Sequence, residues 1–417
     1  MFDETPLVMV EDDEALKQLA ETLASAPVIG VDTESDSMYS YQEKVCLIQF
    51  SDAEKDYIVD PLRITDMSPL AEVFSSPDVV KVFHGADYDV VCMHRDFGFR
   101  IVNLYDTMVA AQFLARERLG LADLVKTAFG HELDKKYQRH DWSQRPLQPE
   151  HLEYARGDTH WLLALRELLT WKLHAASRLG HLEEECALLE QRRWTGRTAD
   201  PNAWLRMKGI RDLDDTAMRV LKHLYMWRDE IARGDNRPPY KVVPNDVLIQ
   251  IAKKQPSTMS ALEVMFSRKA AMKRRYGKSL VACVHAGLED DFEVDRNPRK
   301  SSSSDDNKSD GPPQRLFGGL LDRAGQAIKT WRNKLVAERA DMTSSTVLSN
   351  HQIKAVAAAR PANLDELRAL PDIRNWQVQD HGEAILAILD DVAPELSQAE
   401  DGSPVFQERS RRRRRRR

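Results

Sequence analysis

Asp32-Thr33-Glu34 sets two carboxylates two residues apart, directly after the apolar run 28–31. Side chains alternate along a strand with a period of two, so both carboxylates point to one face at the strand's end. Hard divalent cations take oxygen ligands of this kind. A second acidic element, Phe83-His84-Gly85-Ala86-Asp87-Tyr88-Asp89, reads as a strand running into a helix that continues through Val90, Val91 and Met93. Asp89 falls in the first helical turn, where it can reach back over the sheet edge, while Asp87 suits a helix-starting role. The third element is Tyr154-Ala155-Arg156-Gly157-Asp158. Its spacing of four sets a phenol and a carboxylate on one helix face. Taken singly, each element also has a plain structural reading: solvated acids at a strand end, a helix start, a packed tyrosine beside a surface aspartate.

The elements that must position these groups follow from periodicity. Residues 28–31, 45–50, 57–59 and 79–83 read as strands, and helical patterns follow at 87–97, 107–117 and 149–171. In the last of these, Leu152, Ala155, Leu162, Leu165 and Leu169 fall within one helical arc. Strands first, then strand and helix alternating, predict a mixed α/β layer fold.

After residue 174 strand signals largely vanish and the chain reads as helices joined by polar turns. A repeat lies within this half: Trp227-Arg228 recurs as Trp331-Arg332, Asn245 as Asn350, Pro256 as Pro361 and Leu262 as Leu367. The offset is 104 for the first pair and 105 afterwards, as expected of duplicated domains with one insertion. Between the copies, the Ser- and Asp-rich stretch 297–313 is too polar to pack a core and reads as a flexible linker that lets the last domain move. Residues 411–417 are all arginine and must stay solvated or meet a polyanion.

A chain of 417 residues predicts about two to four domains. Cys46, Cys92, Cys186 and Cys283 lie far apart with no CxxC pair, which argues against a disulfide framework or a zinc ribbon and fits a reducing cytoplasm. No run of eighteen apolar residues occurs, and the acidic start lacks a basic n-region, so no membrane association is expected. Residues 1–200 carry 21 Lys and Arg against 36 Asp and Glu, a net of −15; residues 201–417 carry 39 against 30, a net of +9. An acidic half binds a polyanion poorly unless cations intervene, whereas a basic half neutralises phosphates directly.

In order and spacing the three acidic elements resemble the DEDD exonuclease superfamily, in its subclass with a tyrosine in the third motif. The resemblance is nearest to the ribonuclease D family, with its eukaryotic relatives of the nuclear exosome, and covers nearly the whole chain. Asp32-Thr33-Glu34 is similar to the first motif, and Cys46-Leu47-Ile48-Gln49-Phe50 to the strand that follows it. Phe83-His84-Gly85-Ala86 leading to Asp89 resembles the second motif, with Asp106-Thr107 as its downstream companion. Arg139-His140-Asp141-Trp142-Ser143-Gln144-Arg145-Pro146-Leu147, then Tyr154 and Asp158, resembles the third. The repeats near Trp227 and Trp331 resemble helicase-and-ribonuclease-D C-terminal (HRDC) domains. There are two departures: Gly157 stands where the family often has alanine, and the second repeat lacks Arg237-Pro238-Pro239-Tyr240, having Met342-Thr343-Ser344-Ser345 nearby.

The resemblance implies an RNase H-like α/β 3′→5′ exonuclease domain over residues 1–172 and a helical connector over 173–211. It further implies all-α HRDC-type domains at 212–292 and 314–394, a linker at 293–313 and a disordered tail at 395–417. It also implies that Asp32, Glu34, Asp89 and Asp158 hold two divalent metal ions, Mg²⁺ or Mn²⁺, while Tyr154 orients the attacking water. His84 and His140 stay outside the catalytic set, His84 fitting a core hydrogen bond at the end of a buried strand. The implied substrate is RNA with a single-stranded 3′ end, such as a tRNA precursor. The basic half would capture it: Arg268, Lys269, Lys273, Arg274, Arg275 and Lys278 flank Tyr276, a mixture suited to phosphate contacts and base stacking. The alternative is a solvated helix face with the tyrosine in a core; Trp227 and Trp331, recurring at equivalent points, favour core packing. Two other functions fit the motifs: a DNA 3′→5′ exonuclease of the helicase-linked type, since only contacts to a 2′-hydroxyl select the sugar, and a non-catalytic RNA-binding protein. Oligomeric state is open at this level.

Overall fold

The computed structural model describes residues 4–196, 200–266, 270–295 and 318–400. Arg268, Lys269, the linker from residue 296 onward and the 401–417 part of the tail lie outside the described residues. Six strands form one mixed sheet: β1 (Leu7–Val10), β2 (Val28–Ser35), β3 (Val45–Ser51), β4 (Asp56–Val59), β5 (Val80–Phe83) and β6 (Leu104–Asp106), in the order β1-β4-β3-β2-β5-β6. The pairs β2–β3 and β3–β4 are antiparallel and the other three are parallel. Both β3 and β4 are buried along their whole length, so they read as unbroken apolar runs rather than as alternation. Short β1 and β6 carry too few residues for a period to declare itself, and periodicity missed both.

One expectation needs correction at the first motif. Strand β2 continues to Ser35, so Asp32 and Glu34 lie inside it, opposite Gln49 and Leu47 of β3, instead of just past its end. Pairing with β5 stops at Gly30, and the antiparallel partner alone carries β2 onward. That leaves one edge of β2 open beside the two carboxylates.

Among the described residues eight helices complete this body: α1 (Asp13–Ser25), α2 (Pro69–Ser75), α3 (Asp87–Phe97), α4 (Thr107–Phe113), α5 (Leu121–Phe129), α6 (Pro149–His160), α7 (Leu162–Ala175) and α8 (Leu179–Glu190). The expected single helix 149–171 is two, broken at Trp161, which caps both. Its apolar arc serves two cores: Leu152 and Ala155 pack with Cys46, Leu47, Ile58 and Trp142, while Leu162, Leu165 and Leu169 join the main core. One straight helix cannot reach both. The main core also extends past residue 172, taking in Leu173, Leu182 and Cys186.

Among the described residues each repeat shows five helices around its own core. The first holds α9 (Asp215–Gly234), α10 (Pro239–Val242), α11 (Asn245–Lys254), α12 (Met259–Met265) and α13 (Ala270–Glu289). The second holds α14 (Gly318–Glu338), α15 (Ser344–Val347), α16 (Asn350–Ala359), α17 (Leu364–Arg368) and α18 (Asn375–Glu400). The repeated residues have one physical meaning. Buried Arg228 donates to the Val243 carbonyl (2.9 Å) and to Asn245 Oδ1 (2.6 Å). Arg332 does the same with Leu348 (2.7 Å) and Asn350 (3.0 Å). The adjacent Trp227 and Trp331 pack against their respective cores.

Against the expectation of a free last domain, the second repeat is seated on the exonuclease body. Trp376 enters the main core and meets Phe113 edge-on at 5.3 Å between ring centroids. Glu184 accepts from the backbone N–H of Asn375 (2.7 Å) and Trp376 (3.1 Å), and Arg374 pairs with Glu185 at 2.8 Å. Linker composition governs the linker, and an apolar anchor governs where the domain rests. Among the described residues no helix is long and apolar enough to cross a membrane.

Candidate active site

Three elements converge where β2 leaves β5. Asp32 and Glu34 come from β2, Asp89 from the first turn of α3, and Tyr154 and Asp158 from α6. Helix α6 lies against the sheet because Gly30 has no side chain: a Cβ there would stand 2.9 Å from the Thr159 carbonyl oxygen. A buried polar network holds the same helix from below. Asp56 accepts from Arg156 Nε (3.1 Å), from Ser51 (2.6 Å) and bonds His160 Nδ1 (2.9 Å). With Arg156, Thr159 and His160 engaged, Tyr154 and Asp158 on the remaining face address the cleft.

Asp89 is positioned by the second motif's downstream pair, Asp106 and Thr107, and by Thr33 of the first motif. Asp106 accepts the backbone N–H of Gly85 (3.0 Å) and Ala86 (2.8 Å), and it caps α4 through Met108 (2.8 Å) and Val109 (3.2 Å). One buried carboxylate thus clamps the turn that launches α3. Gly85 makes that turn at φ 80°, a left-handed conformation that glycine adopts readily. Thr107 donates to the Phe83 carbonyl (2.9 Å) and is hydrogen-bonded with His84 Nδ1 (2.9 Å), the expected core bond for that histidine. Thr33 donates its hydroxyl to Asp89, tying the first motif to the second. The Asp106-Thr107 pair and the middle residue of Asp32-Thr33-Glu34 were the available signals.

The electrostatics are those of a site short of positive charge. Burial raises all four carboxyls, most directly Asp32 and Glu34, whose pKa values also rise because Asp89 and Asp158 face them. Asp89 is pushed up to about 6 by burial, against the lowering effect of the Thr33 hydroxyl. Asp158 is pushed up to about 7 by burial and then by Asp89. The strongest influences on the four include no lysine or arginine. Tyr154 is held protonated by burial and by Asp158, Glu34 and Asp32. Its ring lies over Trp142 (5.8 Å, 31°) and edge-on to Tyr137 (6.0 Å, 77°). A cavity of about 390 Å³ opens beside Tyr154 and Asp158, walled by His131, Leu133, Asp134 and Tyr137. Among the described residues no three His, Cys, Asp or Glu side chains are already drawn into a closed metal cage. The donor set nonetheless suits hard divalent cations: oxygen ligands only, acidic, and with no lysine or arginine among the described residues acting strongly on them.

Other expected residues lie elsewhere. Arg145, from the third-motif segment, forks onto buried Asp60 (2.6 and 2.8 Å) and donates to the Cys46 carbonyl (3.0 Å), so it anchors the strap beneath α6. Lys273, Arg274, Arg275 and Lys278 sit on α13 in the first repeat, with Arg274, Arg275 and Lys278 exposed and Arg275 paired to Asp235 at 2.7 Å. Tyr276 between them is no stacking platform. It is 9% exposed and packs edge-on to Trp227 at 5.5 Å, because the helix turns that position into the core.

The chain matches the 3′-5′ exonuclease family model over residues 7–174 and the HRDC domain model over 217–284 and 323–389. It is 35% identical to the Exosome complex component 10 homolog of Caenorhabditis elegans over 62% of its own length, but spans only 30% of that protein. It is 31% identical to ribonuclease D of Desulfotalea psychrophila, covering 65% of this chain and 73% of that protein. The crystal structure of Escherichia coli RNase D, described as an exoribonuclease involved in structured RNA processing, superposes with a TM-score of 0.64 at 27% identity, over 92% of this chain and 98% of that one. A sheet that gathers the acidic motifs, two HRDC units and similarity that runs through all of them make this chain a member of the ribonuclease D family.

Proposed function

We propose that the chain is a 3′→5′ exoribonuclease that shortens single-stranded RNA 3′ ends, tRNA precursors foremost, by two-metal-ion hydrolysis in the cytoplasm. The observation that carries this reading is the gathering of Asp32, Glu34, Asp89 and Asp158 without a cationic partner, beside a phenol kept neutral. Those four residues would hold two divalent metal ions, Mg²⁺ or Mn²⁺, which when bound supply Lewis-acid stabilisation of charge at the phosphodiester. Tyr154 keeps its proton and acts as a hydrogen-bonding group that orients the attacking water rather than as a base. The cavity between α6 and the 131–137 segment is of a size to take the terminal nucleotide. The exposed cations of α13 would contact phosphates upstream of the cleft.

A gel time course with matched RNA and DNA 3′ overhangs, each with Mg²⁺, Mn²⁺ and chelator, tests the reading. Stepwise shortening of RNA that needs either metal is expected. Faster loss of DNA would favour the helicase-linked type, and binding without turnover would leave a non-catalytic RNA-binding protein.

A further inference from the structure

Directly after the strand that carries Asp32 and Glu34, the chain forms a loop that enters the first HRDC domain. Tyr41 buries its ring in that domain's core, and its hydroxyl donates to both carboxylate oxygens of Asp229 at 2.9 Å. Asn236 Oδ1 accepts two successive backbone N–H groups of the loop, Tyr41 (3.1 Å) and Gln42 (3.0 Å). Tyr240 donates to the Met38 carbonyl (2.7 Å), and Lys241 Nζ stands 3.7 Å over the Tyr39 ring. Asn236 holds φ 45°, a left-handed backbone that asparagine tolerates better than most residues, and this sets its side chain against the loop. Backbone strain kept at a contact between domains points to a task for that contact.

The exonuclease body grips the loop as well. Asp36 accepts from the Lys44 N–H (2.8 Å) and the Ser40 hydroxyl (2.7 Å). Tyr39 donates to the Arg139 carbonyl of the third-motif segment (2.6 Å), and Tyr88, one residue before Asp89, donates to Glu43 (2.9 Å). The loop thus continues directly from the first motif, bonds to the second through Tyr88 and to the 139–147 segment through Arg139, and meets the first HRDC domain at once. Met38 follows Glu34 by four residues, a separation of at most about 14 Å along an extended chain. Among the described residues the second repeat has nothing equivalent. Its corresponding turn presents Asp341, which pairs with Arg178 on the exonuclease body instead.

We propose that Asn236, Asp229 and Tyr240 are positioning residues, through which the first HRDC domain fixes the 36–42 loop and, by way of it, the register of β2 and its two carboxylates. The absence of the Arg237-Pro238-Pro239-Tyr240 stretch from the second repeat follows: only one copy serves the catalytic strand. The proposal rests on the exonuclease reading for its kinetic consequence but not for its structural one.

The test uses full-length protein with Asn236→Gly, which keeps the left-handed backbone and removes the acceptor, and Asn236→Asp, which keeps both. Steady-state kinetics on a short single-stranded RNA and hydrogen exchange of amides 31–42 are read in parallel. For Asn236→Gly, kcat is expected to fall by about tenfold to a hundredfold, the scale of a displaced catalytic group, with KM within about twofold. Exchange at 31–42 should quicken by about tenfold, and Asn236→Asp should restore both readouts. A raised KM with unchanged kcat, or exchange at 31–42 equal to the parent's, overturns the proposal. If the parent protein fails to degrade RNA, the nuclease reading fails separately, and the exchange data still decide whether the loop is held.

Discussion

Replacing Asp158 with asparagine should make the metal-free protein more stable at pH 8. In the folded protein this carboxyl is carried from near 3.8 to about 7 by burial and by Asp89. The folded form therefore keeps a proton that the unfolded chain has already released between about pH 4 and 7. Stability is fully present below that window, declines as pH climbs through it, and levels off above 7. Roughly three pH units at about 1.36 kcal/mol each give a ceiling of about 4 kcal/mol. Because the titration is shared with Asp89, an expected gain of about 1–3 kcal/mol is reasonable. That corresponds to a melting temperature about 2–12 °C higher for a body of this size. Melting curves in chelator at pH 5, 6, 7 and 8 should show the smallest gap between the variant and the parent at pH 5 and the largest at pH 8. Added Mg²⁺ or Mn²⁺ should reverse the order, stabilising the parent more than the variant. A variant less stable than the parent at pH 8 in chelator, or a gap independent of pH, would refute the idea of an uncompensated carboxylate.

Tyr154→Phe keeps the ring packing on Trp142 and Tyr137 and removes only the hydroxyl. Single-turnover rates should fall by about 10²-fold while RNA affinity, measured in chelator, stays the same. Two glycines of the same region should respond in opposite directions in chemical denaturation. Gly30→Ala, whose Cβ would meet the Thr159 carbonyl at 2.9 Å, should lose about 1–3 kcal/mol and activity with it. Gly157→Ala, whose Cβ would rest 3.5 Å from Leu133 Cδ2, should gain up to about 1 kcal/mol. Replacing Lys273, Arg274 and Lys278 together with glutamine should flatten the salt dependence of RNA binding, by about 0.7 in log–log slope for each phosphate no longer neutralised. An unchanged slope would assign that helix face to solvent.

Much of the candidate site could be read from residue types alone, because carboxylates at fixed spacing on a strand and two helices leave few ways to converge. Asp32, Glu34, Asp89 and Asp158 lie close enough to raise one another's carboxyls, and Tyr154 stands beside them. What escaped were groups whose task is to hold others. Asp106 looks like an ordinary helix cap until its second pair of bonds, to the turn at Gly85 and Ala86, is seen. Gly30 looks like one more small residue in an apolar run, since only the approach of α6 gives it meaning. The arc from Leu152 to Leu169 could not reveal its break at Trp161, because both halves keep the same helical period while facing different cores. Tyr276 between cations was open to either a stacking or a packing reading, and burial resolved it. The spacing of the repeats was legible as duplication, but the seating of Trp376 in the exonuclease core was not, because nothing local separates a domain's own tryptophan from one meant for its neighbour.

The bonds from Asn236 to the loop at Tyr41 span 195 residues of chain, and that separation is also an interval of time. At about 5–20 residues per second, a ribosome takes roughly 10–40 s to travel from one to the other. The acidic strand and its loop therefore emerge well before the groups that brace them, and the nascent exonuclease body waits with Tyr41 uncovered. A chain cut near residue 200 stays in that condition permanently, with an aromatic side chain in water where the intact protein has a domain.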